Sequence, residues 1–488
     1  MNVWRGSVKS TFGLAMSSTV SDEGLSRGLT RWHALAVVVG GVLGTGVYIR
    51  PASIAQLVGS PSMIMTVWIS TGLLSLAGAL TYAELAARIP RSGGEYAFLK
   101  VTMGELPAFL FGWMRLTVGV GTVAALAVAV TVFLSDLIPL APPWVHMRIP
   151  WRPQPILVEF GFRQLIAVLI IAGLALLNIR GVGKAGRFQS WITTVKALGL
   201  LGLISAIVIL GHAQVTTTAV SQSASPSQIG ASAYSAAVLA AVAAYNGWAH
   251  VAMVGGEVQD PGRNLPWALT LGMLIVIGLY AAVNLAYLHI LPMADILTAN
   301  STAYPMAPSV ASRAAVAALG PRVGFLLPLL FMISALGTLH CNMLAVPRVF
   351  FSMARDGLFP QSLARVSSTA RTPAVAITAF ACVGATFAVL GSYDRLTNMA
   401  AFGNVLFYAL NAVGLLWWQR REPEHDKHVH PRGRWIPVAF LAGMLWLLVT
   451  LIVRGSVEIL AALALMGAGL PVFAYMRYRR GRRPARVG

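Results

Sequence analysis

The sequence predicts an all-α polytopic membrane protein of about twelve transmembrane helices. Three observations carry that class. Of its 488 residues 57% are hydrophobic and only 11% charged, whereas soluble domains carry about 25% charged residues. Mean hydropathy is +0.72. The apolar residues also fall into separate runs, each near the ~20 residues that a helix needs to cross a bilayer.

The runs lie at about 32–57, 63–87, 107–138, 162–179, 189–211, 233–256, 266–291, 323–347, 374–391, 398–419, 436–453 and 456–476. They divide the chain into a tail at 1–31, a transmembrane domain at 32–476 and a basic tail at 477–488. With the N-terminus inside, about 26 Lys and Arg fall on the cytoplasmic side and about 8 outside, the asymmetry that orients membrane proteins. Both termini are therefore expected in the cytoplasm, with the protein multi-pass in the plasma or inner membrane. The formal charge of +20 lies in short loops between apolar runs, so it reads as topology and contact with anionic headgroups rather than as a nucleic-acid surface. The first run is too long for a signal peptide and has no small-residue cleavage site. Cys341 and Cys382 sit inside apolar runs without CxxC spacing, so neither a disulfide framework nor a metal site is expected.

Two runs are interrupted. In the first, Gly40-Gly41-Val42-Leu43-Gly44-Thr45-Gly46 lies at bilayer depth, although each interior glycine costs ~1 kcal/mol of helix propensity relative to alanine. The glycines miss the spacing of a dinucleotide loop. They suit either an unwound segment whose free N–H groups find partners in protein, water or ligand, or close helix packing through Gly40 and Gly44 as a small-xxx-small pair. Pro51 is expected to close this run. In the sixth, Tyr245-Asn246-Gly247-Trp248 precedes Gly255-Gly256-Glu257. An offset of five spans makes the broken helices enter from opposite faces, as an inverted repeat requires, and such a pair points to a transporter binding site at the midplane. That favours unwinding. A half-helix N-terminus offers N–H donors and about +0.5 of dipole charge, and a half-helix C-terminus offers carbonyls. Together they suit a zwitterion, and neither break holds a charged side chain.

From Trp32 to about Phe473 the order of motifs resembles the L-type amino acid transporter family of the amino acid–polyamine–organocation superfamily. The resemblance rests on Gly44-Thr45-Gly46-Val47-Tyr48 with Pro51, Trp68, Gly78-Ala79-Leu80 with Tyr82-Ala83-Glu84-Leu85, and Ser92-Gly93-Gly94-Glu95-Tyr96. It continues through Ala244-Tyr245-Asn246-Gly247-Trp248, Glu257-Val258, Pro261, Arg263-Asn264-Leu265-Pro266 and the stretch from Arg348 to Pro360. It implies a LeuT-like inverted repeat of five plus five helices with two additional C-terminal helices. The implied activity is exchange or import of amino acids by alternating access, with no cofactor. It places the α-carboxylate on backbone N–H groups of Gly44, Thr45 and Gly46 with their neighbour Gly41. The α-amino group falls to carbonyls there and at Ala243 to Asn246, beside Gly247 and Trp248. Lys196 matches a family lysine that occupies a sodium position, implying sodium independence. Ala243 stands where the family often has a gating aromatic. Because 139–161 has no cysteine, no disulfide-linked accessory subunit is implied. Where members take cationic substrates an acidic residue can replace Asn246, so asparagine here implies neutral L-amino acids.

The remaining polar residues are read from position. Intramembrane charge marks function by default, which singles out Lys196, while Arg115 in the third span has no evident role. Glu84 and Arg88 suit an i,i+4 pair. Glu257 is expected to pair with Arg263 across the inner end of the sixth span. His250, His289 and His340 suit hydrogen-bonded packing rather than proton relay, and Trp248 suits packing. A polyamine or organic-amine permease of the same superfamily is the alternative; a membrane-embedded enzyme lacks a nucleophile with its base or HExxH spacing, and a channel lacks a filter loop.

Overall fold

A computed structural model describes residues 21, 23–149, 156–211, 230–390, 393–421, 433–454 and 457–481. Among these, ten helical spans are long and apolar enough to cross a membrane: Arg31–Val58, Pro61–Arg88, Glu105–Leu137, Phe162–Ile179, Val182–Leu210, Pro261–Ile290, Pro321–Arg355, Met399–Arg421, Trp435–Val453 and Ile459–Arg480. Two shorter apolar helices, Ala231–Tyr245 and Ala374–Leu390, stand at the sixth and ninth positions of the expected twelve. The breaks fall where glycine interrupts the apolar runs: the first span is split into Arg31–Val42 and Gly46–Val58, and the sixth ends at Tyr245 before a short helix at His250–Met253.

Spans five positions apart pack on one another. The second lies along the seventh, the third on the eighth, the fourth on the ninth, and Gly46–Val58 on Ala231–Tyr245, the relation that a five-plus-five repeat demands. Trp435–Val453 adds to the outside of this bundle against the tenth and second spans. Local chemistry sets the helix ends. Gly59 closes the first span in the left-handed conformation at φ 60°, which a residue without Cβ adopts freely, and prolines open Pro61–Arg88 and Pro261–Ile290, where a missing N–H is harmless.

The structure departs from the sequence reading in five features of the chain path and in one ion pair. Pro51 does not close the first run: the helix passes through it to Val58, losing one ladder bond that neighbouring packing tolerates. The loop at 139–161 carries an antiparallel hairpin, Val145–Ile149 with Ile156–Phe160, whose alternation is too short to stand out beside the apolar runs. The eighth run does not end at 347, since a further helix, Pro347–Arg355, follows at once. The end of the N-terminal tail is not free either: Leu25 and Leu29 are fully buried, and Leu29 bridges in parallel to Val258. Finally, the last helix runs on to Gly481, where Arg480 grips the Glu105 carboxylate with two hydrogen bonds of 2.8 Å. Residues 1–20 and 482–488 of the two tails lie outside the described residues.

The Glu84 and Arg88 pair is present at 2.8 Å. Glu257, in contrast, pairs with Arg348 rather than Arg263. Arg348 Nε and Nη2 donate to Glu257 Oε2 and Oε1 at 2.6 and 3.1 Å, and both side chains are wholly buried. Arg348 lies on the helix Pro347–Arg355, so the partner was hidden on about two turns of helix past the end of the apolar run at 347. Removing one partner of a buried pair strands the other charge and costs about 3–5 kcal/mol. Arg348→Ala should therefore lose about that much stability in detergent unfolding, and Arg348→Met with Glu257→Met should recover a large part of it; an equally stable single variant would show that the pair does not hold the inner face.

Candidate functional site

The two breaks face each other at the centre of the bundle. A Cβ on Gly41 would lie 2.8 Å from the Gly247 carbonyl oxygen, and one on Gly247 would lie 2.4 Å from the Gly41 oxygen. Gly247 also has φ 123°, a left-handed conformation that side chains rarely adopt. One turn outward, a Cβ on Gly46 would meet Ala244 Cα at 2.9 Å. The helix unwinds at Leu43 to Thr45, and the close packing is made by Gly41 and Gly46, which touch the other break, rather than by the Gly40 and Gly44 pair, since Gly40 packs on Thr193 and Gln189. Gly44 is different, since its nearest neighbour would be the Thr338 hydroxyl at 3.4 Å.

Gly44, Thr45, Gly46 and Asn246 are partly accessible and Ala243 is exposed, amid buried neighbours. No acceptor among the described residues reaches the N–H groups of Thr45, Gly46 and Val47, which open the outer half-helix as free donors. Tyr280 of the seventh span joins the breaks from behind: its hydroxyl lies 2.8 Å from the Val42 carbonyl oxygen and 3.1 Å from that of Ala244. Asn246 does not cap the Ala243 or Ala244 carbonyls; its Oδ1 accepts from the Tyr408 hydroxyl at 2.8 Å. Tyr245 and Trp248 turn into packing. Tyr245 lies 4.9 Å from the Tyr280 ring and 5.9 Å from Trp68, and Trp248 stacks on Tyr408 at 5.1 Å with Tyr82 at 4.8 Å. The two rings brace the break rather than face its opening.

Lys196 caps the inner half-helix. Its Nζ donates to the Gly40 carbonyl at 2.8 Å and reaches Thr338 Oγ1 at 3.3 Å, placing a positive group at the negative end of Arg31–Val42. Space for its stem comes from Gly337, where a Cβ would lie 2.9 Å from Lys196 Cδ. The middle of the same half-helix is bound at Ala36 O, which accepts from Thr193 Oγ1 at 3.1 Å and from Gln189 Nε2 at 3.4 Å, while Gln189 Oε1 lies 2.6 Å from His340 Nδ1. His340 and His250, the latter 2.7 Å from the Gly247 oxygen, take the packing role expected of them, whereas His289 is exposed.

Sequence reasoning named both breaks and Lys196 but missed Tyr280, Gly337, Thr338 and Tyr408. A lone tyrosine or threonine in an apolar run is common and gives no signal of its own. Among the described residues no group of three His, Cys, Asp or Glu gathers as a metal site. What the geometry offers chemically is a set of backbone donors opposite helix-end carbonyls, with no nucleophile between them.

A sequence profile described as amino acid permease matches residues 29–473. The serine/threonine exchanger SteT of Bacillus subtilis (strain 168) is 30% identical over 467 residues, covering 94% of this chain and 99% of the relative. The human large neutral amino acids transporter small subunit 2 is 29% identical over 90% of this chain and 78% of its own length. The human cystine/glutamate transporter is 28% identical over 82% and 75%. With a family match that spans both broken helices and nearly the whole bundle, this chain belongs to the amino acid permease family.

Proposed function

We propose that the protein is a secondary transporter that moves neutral L-amino acids across the cell membrane by alternating access, as exchanger or importer and without sodium. The observation that carries this reading is the pair of touching breaks, with free N–H donors at Thr45 to Val47 on one half-helix and carbonyl-bearing ends at Val42 and Tyr245 on the others. A zwitterion fits that polarity: the carboxylate takes the donors of Thr45, Gly46 and Val47 beside Gly44, whose own N–H is turned onto the Val42 oxygen at 2.6 Å, and the ammonium takes carbonyls around Gly41 and Ala243 to Asn246. Tyr245, Gly247 and Trp248 hold the shape. The names of the relatives agree, since each is an amino acid transporter or exchanger. The cytoplasmic placement of both termini rests on the lysine and arginine asymmetry, and no accessory subunit joined by disulfide is proposed. The buried Cys341 and exposed Cys382 are the free cysteines.

Lys196 supports sodium independence, because its ammonium already occupies the carbonyl oxygen of Gly40 that a cation would need. A second unit charge 4 Å away would be repelled by about 4 kcal/mol at an effective dielectric of 20. Flux of labelled leucine, alanine or serine into proteoliposomes, with and without internal amino acid, tests the activity and separates exchange from import. Replacing sodium with choline should leave it unchanged; a loss of most of the flux would remove Lys196 from this role.

Gly46→Val should insert but fail to transport, since its side chain would strike Ala244 and crowd the donors, while Gly44→Ala, with nothing nearer than 3.4 Å to its Cβ, should keep measurable flux. The reverse order would contradict the assigned geometry. Asn246→Asp keeps the oxygen to which Tyr408 donates and adds a charge, so it should fold. A cationic side chain without a counter-ion is disfavoured by several kcal/mol. Competition by arginine should be weak in wild type and rise at least about tenfold, or ~1.4 kcal/mol, in Asn246→Asp. Equal inhibition curves would leave Asn246 as a structural tie to Tyr408.

A further inference from the structure

Beneath the breaks, on the cytoplasmic side of Trp248, lie a buried carboxyl and a buried guanidinium that the transport reading does not use. Glu95 is the first residue of the helix Glu95–Thr102 and only 1% exposed. Its Oε1 is 3.4 Å from the Tyr82 hydroxyl, and its Oε2 has no partner. Arg115, 8% exposed, makes no ion pair with a carboxylate among the described residues. Its Nε is unpartnered, one terminal nitrogen lies 3.9 Å from Met253 Sδ, and its guanidinium stands 5.6 Å from the Phe111 ring. The third span widens there into a single π turn at Arg115–Gly119, a distortion that recurs at functional positions. A buried carboxyl and a buried guanidinium thus share one region without pairing, unlike Glu257 and Arg348, whose side chains close on each other at 2.6 Å.

A route to water lies close by. A cavity of about 410 Å³ on the cytoplasmic side is lined by Ser92, Tyr96 and Ala97, the residues flanking Glu95 in sequence, and by the tail residues Ser21, Glu23 and Arg27. Glu23 Oε2 accepts from the Ser92 N–H at 3.1 Å and so ties the tail over this loop. We propose that Glu95, set between Tyr82 and Arg115 behind the cytoplasmic cavity, is a proton-binding site, neutral while buried as it is here and ionised when the inner half of the carrier opens to water. Burial pushes the carboxyl up to about 7, against the fields of Arg115 and the Tyr82 hydrogen bond, which favour the anion. The groups that face it are Tyr82 on the second span, Arg115 on the third and Tyr408 on the tenth, with His250 beyond Arg115. Because ionisation accompanies opening, the proton leaves toward the cytoplasmic cavity, and a higher cytoplasmic pH favours the open form.

The proposal deepens the transport reading, so its first test does not require transport. A hydrophobic carbodiimide, which reacts with protonated carboxyls in apolar surroundings, should modify Glu95 in the purified carrier at pH 6 and stop doing so with a midpoint near 7, read by peptide mass spectrometry. Arg115→Met, which removes a cation that favours the anion, should move that midpoint to higher pH. Absence of modification at pH 6, or a midpoint near the usual carboxylate value of about 4.3, would overturn the proposal even if the variant fails to fold. In proteoliposomes of wild type, exchange should rise as the pH on the cytoplasmic face goes from 6 to 8, and Glu95→Gln should stay at the low-pH rate throughout. A wild-type rate that is flat over that range would equally overturn it.

Discussion

Everything at the centre of this protein depends on two broken helices being able to touch. Gly41 and Gly247 lie back to back with no room for a Cβ on either, and Gly46 rests on Ala244. That contact converts two local losses of helix into one site. Unwound backbone in hydrocarbon leaves polar groups that need partners, and here each break stands where the other, together with Tyr280, can supply part of what is missing. The donors left over at Thr45 to Val47 are those that open toward the accessible face.

The charges buried in the bundle follow the same accounting. Arg348 is held by Glu257 in a bidentate pair that leaves only its Nη1 unpartnered, and Lys196 by the carbonyl end of a half-helix and a threonine. Each fixes one end of a broken span: Glu257 follows the second break, and Gly40 precedes the first. Glu95 and Arg115 differ because neither satisfies the other, and that contrast is why they stand out as changing partners while the other two stand as fixed ties.

Much of this was legible in the sequence, for physical reasons. Helical spans announce themselves by length, and glycine at bilayer depth is disfavoured enough to require a reason, so both breaks and Lys196 could be named from residues alone. Tertiary partners could not. Arg348 lay beyond a proline at which periodicity stopped, so Glu257 was matched with the wrong arginine. Tyr280 and Thr338 carry no sequence signal because single hydroxyls are ordinary in spans. The glycines allowed two readings, packing through Gly40 and Gly44 or unwinding, and the geometry shows unwinding between Gly41 and Gly46, which make the close approach instead. The short hairpin in the 139–161 loop was hidden by the dominance of the apolar runs.

The proposed transport needs both charged ends of an amino acid to be held by backbone at the paired breaks. It is tested most directly by competing labelled substrate in proteoliposomes with the same compound lacking one end, the decarboxylated amine or the deaminated acid. Hydrogen bonds to charged groups contribute about 1.5–3 kcal/mol each, so loss of either end should weaken competition by roughly 10- to 100-fold. An amine that competes as well as the intact amino acid would contradict the account and point to an organic-amine permease instead.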